Sequence, residues 1–302
     1  MTVSSSLQYN QLQSLEKYVL SGHHQVRGWL WHSAAYITSL MGLEQVRQGM
    51  VGNVGEIGVW QGRYLQLLGL LGRPEETILG IDSFVHAPDG DAFEHQLRER
   101  FEVEPALEGR LRILRRDSTT LTPDEIRQVV DGPFRLFSVD GGHLAHEAFH
   151  DLKLCAPLMS EDGIIIVDDI FNVTCPGVVE GTLRFLMSNE GADFEAFCIS
   201  GNKMFLGRRS ATPAWRKFLM KVTRQCTDVS LFRDTAKTID DMPPGVFPQF
   251  CGGDVVVITW SGDYLISDNG EPVVIRLKVC DPAELNDQQC ILPSPLEIMS
   301  RL

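Results

Sequence analysis

Between residues 54 and 208 the chain repeats one pattern: a short apolar run, a polar break, then a longer stretch with helical spacing. The runs are "VGEIGV" (54–59), "TILGID" (77–82), "LRILRRD" (111–117), "FRLFSVD" (134–140), "GIIIVDD" (163–169), "FEAFCIS" (194–200) and "KMFLGR" (203–208). Continuous apolar runs of this length suit strands buried on both faces rather than half-buried ones. The first five are separated by segments long enough for crossover helices, among them "GRYLQLLGLL" and "HEAFHDLKLCAPLM". The last two are separated only by Gly201 and Asn202, which predicts a tight hairpin. The pattern predicts an α/β fold: a Rossmann-like, seven-stranded, mostly parallel sheet whose last strand is antiparallel.

Outside this block the pattern changes. Residues 1–50 predict an N-terminal helical cap, with "AAYITSLMGLEQVRQGM" running to a stop near Gly52. Residues 51–209 form the predicted core. Residues 210–302 form a C-terminal extension: a helical "PAWRKFLMKVTRQCTDVSLFRD", a loop "DMPPGVFPQFCGG", and strands "VVVITW" and "PVVIRLKV" around "SDNGE". The extension is long enough for a substrate lid, an oligomer contact or a small added sheet.

Composition narrows the setting. The 302 residues carry 40 acids against 27 bases, a formal net charge of -13, which disfavours a general nucleic-acid binder. No apolar stretch approaches the roughly 18–20 residues of a membrane span, and the N-terminus lacks a signal-peptide pattern, so a cytoplasmic protein is expected. Seven cysteines, odd in number and without a CxxC pair, read as reduced thiols rather than a disulfide scaffold.

The chemistry gathers at the strand ends. In a parallel sheet ligands bind outside the carboxyl ends of the strands. Asp82, Asp117, Asp140 and the pair Asp168–Asp169 all fall there. Two adjacent carboxylates at the end of a buried strand need compensation by water, a cation or hydrogen-bond donors. "EIGVWQGR" (56–63) follows the first strand, and Gly58 and Gly62 permit a tight turn into a helix N-terminus. Asp82, about 20 residues past that turn, can accept both hydroxyls of a ribose. The GxGxxG fingerprint is absent, and Trp60 and Gln61 are bulky where a pyrophosphate would pass, which argues against a nicotinamide or flavin cofactor.

Two histidine motifs compete for attention. "HEAFH" (146–150) matches the zinc-protease pattern, but it lies on a crossover helix whose inward stripe is expected at Ala145, Phe149, Leu152 and Ala156. Its histidines are expected on the solvent face. His143, in "VDGGH", sits at the mouth of a strand, where a neutral imidazole can take a proton or simply bond the loop.

With "GNVGEIGVWQGR", "GIDSF", "RRDST", "FRLFSVDGGH" and "GIIIVDDI" followed by "GVVEGTLRFL" in place, the chain resembles class I S-adenosylmethionine-dependent methyltransferases over roughly residues 28–209. Within them it resembles the TylF/MycF-like metal-dependent sugar and small-molecule O-methyltransferases. The resemblance implies an enzyme that methylates a hydroxyl of a small natural-product or sugar-like acceptor, working as a homo-oligomer such as a homodimer. It assigns Glu56, Gly58 and Gly62 to the loop beside the methionine part of the cofactor. Asp82 would bind the ribose, with Ser83 beside it, and Asp117 and Ser118 would lie near the adenine. Asp140, Asp168 and Asp169 match the carboxylates that hold a divalent cation in metal-dependent relatives, which implies Mg2+, and Asp140 and His143 are the expected catalytic pair. One departure stands out: many relatives read Asp-Gly-Asp, whereas Gly142 replaces the second acid here. That puts metal affinity or the base in question and shifts weight to His143. The alternatives are a metal-independent enzyme acting on another acceptor atom and an inactive cofactor-binding or interaction protein.

Overall fold

A computed structural model describes residues 7–243, 245–263, 265–266, 272–273 and 292–302. The chain opens with helix α1 (Tyr9–Leu20), strand β1 (Leu30–Trp31) and helix α2 (His32–Arg47). The core then alternates β2 (Asn53–Ile57), α3 (Arg63–Leu71), β3 (Ile78–Ile81), α4 (Gly90–Val103), β4 (Leu111–Leu114), α5 (Pro123–Arg127), β5 (Phe134–Val139), α6 (Ala145–Cys155), β6 (Met159–Val167) and α7 (Pro176–Leu186). It closes with the hairpin β7 (Phe194–Ser200) and β8 (Lys203–Arg208). All seven expected core strands are present, most of them trimmed at their polar ends.

The extension adds helices α8 (Thr212–Gln225) and α9 (Ser230–Asp240) and short strands β9 (Gln249–Phe250), β10 (Gly253–Asp254), β11 (Val256–Ile258), β12 (Leu265–Ile266) and β13 (Pro272–Val273). Helix α10 (Pro295–Ser300) ends it. The main sheet runs β11-β7-β8-β6-β5-β2-β3-β4, so it has eight strands rather than seven. β8 alone is antiparallel to its neighbours, and the eighth strand, β11, pairs parallel to β7. "VVVITW" therefore extends the sheet edge. An apolar run of this kind gives no sequence signal for which edge it joins. The remainder of "PVVIRLKV" beyond Val273 lies outside the described residues.

The extension is fastened to the N-terminal cap. β12 pairs with β1, and Ser33 donates through its amide and hydroxyl to Asp263 at 3.1 and 2.5 Å. Residues of α1, α2, α8, α9 and α10 share one hydrophobic core with the near face of the sheet. A second core fills the other face, under α6 and α7. No helix among the described residues is long and apolar enough to cross a membrane.

On α6 the buried positions are Ala148, Asp151, Leu152, Leu154 and Cys155. Of the expected inward stripe, Leu152 and Ala156 are buried while Ala145 and Phe149 are half-buried. His146 faces solvent as expected, but His150 is half-buried. α6 packs against α7 as well as the sheet, which rotates and widens its covered face.

At the amino ends of the strands a buried arginine ties the layers together. Arg135, fully enclosed on β5, makes a forked pair with Glu76, donates to Gln45 Oε1 at 2.9 Å and to the Leu71 carbonyl at 2.6 Å. Burial pushes the Glu76 carboxyl up, but Arg135 outweighs it and holds the carboxyl below its ordinary value. Arg135→Met should cost about 1–3 kcal/mol in urea unfolding, because Glu76 loses its forked partner and keeps Arg73, 2.9 Å from Oε1.

His23 and His32 stack near one another with centroids 5.5 Å apart, both buried. His23 Nδ1–H donates to the Tyr18 carbonyl at 2.8 Å. Burial lowers His23 to about 3 and His32 to about 4. The unfolded chain takes up these protons near pH 6.5 and the folded chain only well below it. Their contribution is therefore whole above about pH 6.5 and is lost as pH falls, by on the order of 2 kcal/mol per histidine at pH 5. His23→Asn, which keeps a donor for Tyr18, should flatten the acid limb of a stability–pH profile.

Candidate active site

The glycine turn is built as the spacing predicts. Gly58 and Gly62 hold φ of 82° and 81°, the left-handed region, and Gly62 caps α3. A Cβ on Gly58 would lie 1.7 Å from the Asp140 carbonyl oxygen, and one on Gly62 2.3 Å from Leu97 Cδ1. Neighbouring chain already demands both glycines, so they are evidence of a tight rim and not of a ligand. Trp60 also has positive φ, and its ring packs edge-on against Phe93 at 4.9 Å rather than across the turn.

Asp82 receives the Trp60 amide at 2.8 Å on one oxygen and the Phe84 amide at 2.6 Å on the other. It is half-buried, and each oxygen keeps a lone pair for a further donor. This fits the pair of ribose hydroxyls that the spacing suggests. Ser83 follows it, half-buried. Asp117 is exposed and caps its own turn, taking the Thr119 amide and hydroxyl at 2.9 and 2.7 Å; those bonds hold its carboxyl low. Ser118 is buried beside it.

Glu56 is placed differently from the loop position expected. It lies inside β2, 2% exposed, and burial first and foremost pushes its carboxyl up to about 8. Lys203 and Asp168 are close enough to act on it, in opposite senses.

The pair Asp168–Asp169 is answered from the hairpin. Lys203, 1% exposed at the start of β8, places Nζ 2.6 Å from Asp168 Oδ2. Asn202 donates from Nδ2 to Asp169 Oδ1 at 2.9 Å, and Asn172 donates to the same oxygen at 3.1 Å. The Asp169 amide donates to Asp168 Oδ1 at 2.8 Å. Asp169 sits at φ 54°, a left-handed conformation that turns its carboxylate away from that of Asp168. It points instead to His143, whose Nε2 is 3.3 Å from Asp169 Oδ2.

Asp140, at the end of β5, lies between these groups. Burial, then Asp168, raises its carboxyl well above the ordinary range, and Lys203 only partly offsets this. For Lys203 burial opposes the charge, but Asp168, Asp140 and Tyr64 outweigh it and keep the ammonium protonated. Its Nζ lies 4.2 Å from the Tyr64 ring centre.

This geometry bears on the cation implied for Asp140, Asp168 and Asp169. A divalent ion on Asp168 Oδ2 would share that oxygen with an enclosed ammonium 2.6 Å away, and like charges at such a distance repel strongly. Asp169 is turned to His143 and two amides. The three carboxylates do not fit one shared ion. Among the described residues the group with metal-ligating spacing is His143, Asp169 and Cys175, and "HEAFH" contributes nothing to it. Lys203 and Asn202 escaped the sequence reading, although a lysine opening the apolar run "KMFLGR" was a usable signal.

Residues 56–170 match the family model described as a methyltransferase domain. The match runs from within β2 to just past the end of β6. No curated protein matches the chain. Among solved structures it is similar to the O-methyltransferase NovP, at 22% identity over 57% of this chain and 78% of that one, TM-score 0.46. It is similar to CalS11, a TDP-rhamnose 3'-O-methyltransferase of calicheamicin biosynthesis, at 16% identity over 66% and 93%, TM-score 0.46. It is also similar to the MycE methyltransferase in complex with Mg, SAH and mycinamycin VI, at 19% identity over 52% and 44%, TM-score 0.37.

Gly58→Ala should destabilise the fold by about 2 kcal/mol or more, since it adds both a clash and an unfavourable φ. Thermal unfolding against an Ala substitution at exposed Gly109, which has positive φ but open space, separates the two terms.

Proposed function

We propose that the protein transfers a methyl group from S-adenosylmethionine to a hydroxyl of a small acceptor. The observation that carries this reading is the His143–Asp169 pair at the carboxyl ends of β5 and β6, beside the glycine turn and Asp82. Asp82 would hold the cofactor's ribose, and the turn before α3 its methionine end. Bringing acceptor oxygen and methyl carbon into line is much of the catalysis. Nε2–H of His143 directed at Asp169 leaves the Nδ1 lone pair as the base. As the new C–O bond forms, the C–S bond breaks, sulfur keeps the electron pair, and the acceptor proton passes to His143.

Leu144, Phe171 and Val173 stand exposed around this pair, at 59%, 53% and 91%. Such an apolar lip suits a flat or aliphatic scaffold bearing the hydroxyl, as in a glycosylated natural product. Similarity to NovP and CalS11, O-methyltransferases by name, supports oxygen as the acceptor atom.

Labelled methyl transfer from S-adenosylmethionine to a panel of glycosides and phenols tests this. Asp82→Ala should weaken S-adenosylhomocysteine binding about tenfold or more in calorimetry. His143→Ala should leave that binding intact and lower kcat by about 10²–10⁴. Cofactor binding without turnover on any acceptor would favour a binding protein instead.

A further inference from the structure

The hairpin turn carries a positive charge into the one place where the acids crowd. Asp168, Asp140 and Glu56 come from the ends of three adjacent strands, β6, β5 and β2. All three interact electrostatically with Lys203. The lysine is fixed from behind as well. Gly201 of the same turn, at φ +58°, is pressed so close to Trp31 that a Cβ there would lie 2.6 Å from the Trp31 Cβ. Tyr64, which covers the ammonium, is itself held by a 2.6 Å hydrogen bond to Thr38. With 1% exposure, Lys203 cannot leave for solvent unless the hairpin moves.

We propose that Lys203 is a built-in cation: its ammonium occupies the position of the divalent ion that the resemblance implies, and the protein works without a metal at Asp140 and Asp168. The lysine is a positioning residue. It neutralises Asp168, lets β5 and β6 bring their carboxylates together, and leaves Asp169 free to orient His143. A compact ammonium on one carboxylate needs no further ligands, whereas Mg2+ demands near-octahedral oxygen coordination. Gly142, where many relatives carry another acid, agrees with a site whose positive charge is one rather than two.

The role in catalysis rests on the methyl-transfer reading, but occupancy of the site can be tested apart from it. Mn2+ should be titrated into the full-length chain and followed by electron paramagnetic resonance, with and without S-adenosylhomocysteine. The wild type should bind no Mn2+ tighter than about millimolar. Lys203→Ala, which bares the acids, should bind Mn2+ about tenfold tighter or more, and Asp168→Asn in that background should abolish the gain. A tight Mn2+ site in the wild type that Asp168→Asn removes would overturn the proposal, as would a folded Lys203→Ala without gain. Should Lys203→Ala fail to fold by circular dichroism, the wild-type titration decides alone. Calorimetry with S-adenosylhomocysteine on the same samples reports separately on the methyltransferase reading.

Discussion

A single buried ion pair, Lys203 with Asp168, sets the arrangement of the rim. Carboxylates at the ends of neighbouring parallel strands repel, and burial makes each charge expensive. One enclosed ammonium lies against Asp168, while burial and mutual repulsion push Asp140 and Glu56 towards their neutral forms. The pair also fixes chain geometry. The turn that delivers Lys203 delivers Asn202 to Asp169, so adjacent residues of the hairpin answer adjacent aspartates.

From that division of labour the site follows. Asp168 belongs to the interior and Asp169 to the surface, because the backbone turns to φ 54° between the strand and the loop. The outer carboxylate orients His143 at the mouth, where the apolar lip of Leu144, Phe171 and Val173 begins. Asp82 stands across β2, its oxygens already braced by two backbone amides. The Asp82 side and the His143 side of the rim are thus separated by the strand order, with β2 and β5 side by side at the sheet centre.

The N-terminal cap and the extension act on this rim from a distance. Trp31 in β1 backs the hairpin turn, while β12 and Asp263 hold β1 and α2 from the other side. Through β11 the extension also lengthens the sheet next to β7. At the opposite end of the sheet, Arg135 and Glu76 form a second enclosed pair that locks α2 and α3 to β5. Arg73 adds a further enclosed contact to Glu76 at 2.9 Å, so charge is compensated at both ends of one sheet.

The sequence by itself determined the strands, the crossovers, the hairpin and the collection of acids at one rim. Those depend on local apolar runs, turn residues and the rule that parallel strands end on one side. It also placed Asp82 and the glycine turn, because both are tied to a strand end by spacing. Only the tertiary structure decided what compensates the aspartates, since Lys203 lies 35 positions beyond Asp168 and reaches it through an antiparallel pairing that periodicity does not encode. It decided likewise that β11 joins the sheet edge, that Glu56 is enclosed, and that Arg135 is paired. Each of these turns on long-range contact between side chains whose types, taken singly, are ordinary.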